Sequence, residues 1–104
     1  MRARVTDDGG VELVGRLDVR GAAAAREALH EALARGSDRL VVDLSGVELL
    51  DATGLGVLVA AHRRARLQDR ELVLRDAGPR VARLLVLTRL DRVIAVERRG
   101  TVLA

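Results

Sequence analysis

The chain has 104 residues, 49% hydrophobic and 32% charged, with a net charge of +3, which suits one globular domain rather than two cores or a disordered chain. It has no Cys, no Lys and no aromatic residue. Disulfides, thiolate nucleophiles, lysine Schiff bases, the usual phosphate-binding P-loop and aromatic stacking of single-stranded nucleic acid are thereby excluded.

Taken in order, Arg2–Thr6 reads as a strand, Asp8-Gly9-Gly10 as a turn and Val11–Val14 as a second strand, a hairpin. Gly21–Arg35 reads as a helix, with Ala22, Ala25, Leu29, Ala32 and Leu33 on one face and Gly36 placed to end it. Leu40–Leu44 is a buried strand, and a further apolar stretch ends at Asp51. A second helix runs from Gly54 to about Gln68. Glu71–Arg75 is the next strand, and Pro79 suits the first turn of a third helix ending near Thr88. Val93–Val96 is the last strand, and a loose tail is expected from Glu97 to Ala104. The fold class is α/β: one domain over residues 1–104, its ordered core about 2–96, built on a mixed, mostly parallel β-sheet with packed helices.

Charge is uneven. Residues 1–61 hold 7 Arg against 10 acidic groups, a net −3, and residues 62–104 hold 11 Arg against 5, a net +6. The Arg residues are interspersed with Leu, Val and Asp, which reads as solvated helix faces rather than a nucleic-acid patch. No apolar run reaches the roughly 20 residues that span a bilayer, and Met1–Gly10 lacks a signal-peptide core, so a cytoplasmic location is expected.

The second helix carries the functional signal. Thr53 stands at its mouth, beside the carboxylates of Asp43 and Asp51. Thr53 and Asp51 are both good N-caps, and no capping box decides between them. On a helical wheel Leu55, Leu58, Val59, His62 and Ala65 form the inward stripe. Gly56, Val57 and Ala60 lie opposite, and none is polar. That face is either covered by another element or is a smooth docking patch beside Thr53. His62 reads as a core or boundary histidine, and His30 has no evident partner. The carboxylates are a weak signal for metal or acid–base work without a histidine nearby. Gly54-Leu55-Gly56 is a poor dinucleotide fingerprint, because Val59 holds its third glycine position.

Gly15-Arg16-Leu17-Asp18, Val42-Asp43-Leu44-Ser45-Gly46-Val47, Asp51-Ala52-Thr53-Gly54-Leu55-Gly56-Val57-Leu58 and Leu90-Asp91-Arg92-Val93 together resemble the motifs of STAS domains, specifically stand-alone bacterial anti-sigma-factor antagonists. The resemblance implies a protein that is not an enzyme and carries no cofactor or metal. Its partner would be an anti-sigma factor that is also a GHKL-type serine/threonine kinase, which phosphorylates Thr53 and so releases the complex. A Ser/Thr phosphatase would restore it. The implied partner-binding set is Asp18, Asp51, Gly54, Gly56, Val57 and Ala60, with no direct role for nucleic acid or membrane and a monomer when alone. The sequence departs from the family pattern at Ala52, where the first hydroxyl is missing, at Thr53 in place of the commoner Ser, and at Arg89 in place of Gly. STAS domains also serve as constitutive regulatory or scaffold parts of transporters, lipid-export assemblies and stress-sensing complexes.

Overall fold

A computed structural model describes residues 1–36 and 38–98. Alternation and turn chemistry build the first two strands. β1 (Arg2–Val5) and β2 (Val11–Leu17) form the expected antiparallel hairpin, Arg2 opposite Val14 and Val5 opposite Val11. Then come α1 (Ala22–Ala34), β3 (Arg39–Leu50), α2 (Ala52–Leu67), β4 (Glu71–Arg75), α3 (Pro79–Leu87), a 3-10 turn at Leu90–Arg92 and β5 (Ala95–Glu97). The sheet order is β1-β2-β3-β4-β5, and every pair after the hairpin is parallel.

Several boundaries differ from the sequence reading, among them that of α2, which starts at Ala52 rather than Gly54. β2 continues to Leu17, and β3 takes in the whole stretch to Leu50 as one 12-residue strand. The β2–β3 register slips twice, between Glu12 and Val14 and between Gly15 and Arg16, which breaks the alternation that marks a strand in sequence. Gly15 absorbs the second slip at φ +110°, a conformation L side chains rarely adopt. At the far end, β5 begins at Ala95, and Glu97 belongs to it rather than to a loose tail. Arg75 on the neighbouring β4 and Arg39 on β3, one strand further, hold that carboxylate. Residues 99–104 of the expected tail lie outside the described residues.

One face of the sheet carries the core. Leu13 and Leu17 of β2, Leu40, Val42 and Leu44 of β3, and Leu72 and Leu74 of β4 are buried with Leu29 and Leu33 of α1, Leu58 of α2 and Leu85 of α3. With no aromatic ring available, aliphatic side chains fill this layer alone. The face expected for α1 is the buried one. Arg70, 7% exposed, reaches back from the end of α2 and donates from Nη1 to the Leu33 carbonyl (3.1 Å), satisfying an orphan acceptor at the end of α1. On the opposite face, Val73 of β4 is also fully buried. The Arg39–Glu97 ion pair (2.8 Å) crosses from β3 to β5 over this strand, and Arg39 also faces Glu71 at 3.5 Å.

Candidate functional site

Leu17 and Leu50 are register partners at the ends of two adjacent parallel strands, so Asp18 and Asp51, the next residues, leave the sheet side by side. Each carboxylate then organises a helix entry. Asp18 Oδ1 accepts from the Arg20 and Gly21 amides at 3.0 and 3.1 Å, and its carbonyl accepts from Ala22 N. Asp51 Oδ1 accepts from Gly54 N at 2.9 Å, and its carbonyl accepts from Leu55 N. Asp51 is therefore the N-cap of α2. Thr53 is not a cap: it lies within the first turn, half-buried, and its hydroxyl has no hydrogen-bond partner among the described residues. The first-turn amides that no intrahelical carbonyl serves surround that hydroxyl with partial positive charge.

Gly54 seats the turn. It is buried, and a Cβ there would lie 2.1 Å from the Leu17 carbonyl and 2.7 Å from a Leu50 methyl. Its place in the partner-binding set is corrected to a packing role, since the surface is closed over it. Val57 is corrected likewise. It is 3% exposed and belongs to the core, not to the outer patch. The buried face of α2 is Gly54, Val57, Leu58, Ala61 and Ala65, while Leu55, Val59 and His62 are only half-buried. Residues 54–61 are apolar all round the helix, so their pattern does not fix its rotation. The Asp51 cap and the contact of Gly54 with Leu17 do.

What remains on the outside is a stripe of small residues one turn apart, Ala52, Gly56 and Ala60, all exposed. A side chain at Gly56 would meet nothing within 4 Å. Two members of this surface escaped the sequence reading. In sequence Ala52 reads only as a missing hydroxyl. Val19, 71% exposed beside Asp18, carries no periodic signal because it sits in a turn.

Asp43 is not part of the site. It lies seven residues before Leu50 in β3, roughly 20 Å away at strand rise, and accepts from Ser45 N at 2.8 Å. No group of three or more His, Cys, Asp or Glu residues among those described could hold a metal ion. His62, at the edge of the core, has its Nδ1 buried without a partner, and burial, then Arg66 and Arg63, hold its pKa below the usual histidine value. His30 does have a partner, Arg64, at 2.9 Å. No helix among the described residues is long and apolar enough to cross a membrane.

A family model described as "Mlab, STAS domain" matches residues 1–97. The chain belongs to the STAS domain family. Among curated STAS relatives, the anti-sigma-B factor antagonist of Listeria monocytogenes is 33% identical over 97 residues, covering 93% of this chain and 85% of the relative. That of Bacillus subtilis is 32% identical over 90 residues, covering 86% and 82%. A crystal structure of an anti-sigma factor antagonist from Mycobacterium paratuberculosis superposes with a TM-score of 0.77 at 32% identity, covering 96% of this STAS chain and 86% of that one.

Proposed function

We propose that this STAS domain is an anti-sigma-factor antagonist whose binding to an anti-sigma kinase is switched off by phosphorylation of Thr53. The observation that carries this reading is the free Thr53 hydroxyl in the first turn of α2, beside the exposed Ala52-Gly56-Ala60 stripe. The antagonist names of its relatives support the partner class. Bound to a GHKL-type kinase, Thr53 Oγ1 would attack the γ-phosphorus of the kinase's ATP. ADP leaves, and the hydroxyl proton passes to a base on the kinase. A phosphatase reverses the modification with water, releasing inorganic phosphate.

The physics of the turn separates folding from binding. A phosphate adds about −1.5 to −2 charge. At a helix N-terminus the macrodipole tolerates it, so the domain keeps its fold. Against a partner packed flat on small side chains, the same charge loses its water and faces the neighbouring carboxylates of Asp18 and Asp51, so the complex fails.

A constitutive STAS subunit of a transporter or scaffold, without a phospho-switch, is the second reading. Ala52 and Thr53 in place of two serines, and the Mlab description of the matching model, favour it. Incubation with a candidate kinase and ATP, followed by intact mass and affinity measurement, separates the two. The switch requires one added phosphoryl group, absent in Thr53→Ala, and at least tenfold weaker binding of the phosphorylated form, about 1.4 kcal/mol. Tight binding of a partner that neither phosphorylation nor Thr53→Glu weakens would leave the constitutive reading.

A further inference from the structure

Between α1 and α2 lies an open groove of about 560 Å³, within the size range of small-molecule sites. It exists because small side chains face each other across the two helices. Ala23 and Ala60 form its walls, and the buried side chains of Leu29, Leu33, Val57 and Ala61 its floor. Two guanidinium groups, Arg26 and Arg64, stand on the rim. Like most arginines among the described residues, Arg26 and Arg64 have no carboxylate within 4 Å; what sets them apart is that both line the groove. Arg64 instead donates to His30 Nδ1 at 2.9 Å, which holds it over the groove. One carboxylate, Glu27, shares the rim, so two Arg against one Glu leave +1 there with His30 counted neutral.

An apolar trough with two guanidinium groups at its lip, neither in an ion pair, suits a ligand that has an apolar body and one anionic head. Arginine binds a carboxylate through two parallel hydrogen bonds, and the aliphatic floor gains by covering a hydrocarbon chain. The trough is short. From Ala23 to Leu33 it follows ten residues of α1, about 15 Å at the helical rise. We infer that the α1–α2 groove binds a free single-chain anionic amphiphile, a medium-chain carboxylate, with its tail on Leu29, Leu33, Val57 and Ala61 and its head on Arg64 and Arg26. Binding here does not need the Thr53 hydroxyl, but Ala60 is both a wall of the groove and the last residue of the stripe proposed for the kinase, so amphiphile and kinase would share that wall.

The probe is decanoate, titrated below its micelle concentration into the full chain and followed by methyl NMR. Saturable shifts are expected at Leu29, Leu33, Val57, Ala60 and Ala61. The Arg26→Glu/Arg64→Glu double variant should bind at least tenfold more weakly, as should decyltrimethylammonium to the unaltered chain. Ala23→Trp, which fills the groove from an exposed position, should abolish binding, with circular dichroism checking that each variant is folded. Absence of saturable shifts at these methyls, equal binding by the folded double variant, or equal binding of the cation would overturn the inference. It would equally be overturned if an acidic amphipathic peptide, or phosphatidylglycerol vesicles, occupied the groove where decanoate did not.

Discussion

Three residues fix the turn on which Thr53 sits. Asp51 satisfies an orphan amide of α2, Gly54 lets that helix approach the Leu17 carbonyl, and Leu17 closes the bottom. Removing the cap acts on stability more than on the exposed stripe. Asp51→Ala is expected to lower unfolding free energy in urea by about 1 kcal/mol, and Asp51→Asn, which still accepts from Gly54 N, by less. Arg89 shows the converse situation. It follows α3 with φ +62°, a left-handed conformation, at the position where the STAS pattern has Gly. A side chain with a Cβ pays roughly 1–2 kcal/mol there. Arg89→Gly should therefore raise the melting temperature, part of the gain being offset by the greater freedom of glycine in the unfolded chain. A fall in melting temperature would mean that the Arg89 side chain contributes contacts outweighing that strain.

At the scale of elements, the rotation of α2 decides which substitutions touch the core and which touch only a partner. Ala60 is exposed, and Val57, three residues earlier, is 3% exposed. Ala60→Arg is expected to change stability by no more than about 0.5 kcal/mol while blocking the proposed partner face. Val57→Arg would bury an unpaired charge, and Leu58→Ala would remove a fully buried side chain at a cost of roughly 2–5 kcal/mol. Urea melts and a pull-down with the proposed anti-sigma partner on these three variants test the assignment. Ala60→Arg melting as early as Leu58→Ala would place residue 60 inside the fold.

For the whole molecule, the two sheet faces are stabilised by different means. One is closed by three helices over aliphatic side chains. Over β3 to β5 the other carries a lattice of ions, Arg39, Glu71, Arg75 and Glu97, with Val73 beneath it. Hydrogen bonds from Arg75 and then Arg39 hold the Glu97 carboxyl below its ordinary pKa of 4.5. As pH falls, the unfolded chain takes up that proton first. The contribution of this carboxylate is therefore complete above about pH 4.5 and is lost as pH drops through the lower folded-state value. Glu97→Gln should be less stable than the unaltered chain at neutral pH, and the two should converge in acid. The groups are partly solvent-exposed, so high salt should shrink the difference. A gap that persists unchanged at low pH would assign the effect of the variant to packing rather than charge.

The order of strands and helices, the buried face of α1 and the hairpin were legible in the sequence because each rests on local chemistry: alternation, helical period, Asp8-Gly9-Gly10, and Pro79 at the start of α3. The motif around Thr53 was legible for the same reason, as a run of neighbouring residues. The rotation of α2 was not, because a segment apolar on every side presents the same pattern at any angle. Only contact with Leu17 and the Asp51 cap turned Val57 inward and left Ala52, Gly56 and Ala60 outside. Strand lengths were hidden in the same way. Two register slips remove the period from β3, and β5 is held by Arg39 and Arg75, residues 58 and 22 positions away from Glu97. Sequence thus determined which elements form and where the hydroxyl stands in the chain. Which side chains share its surface depended on long-range contacts that no local pattern encodes.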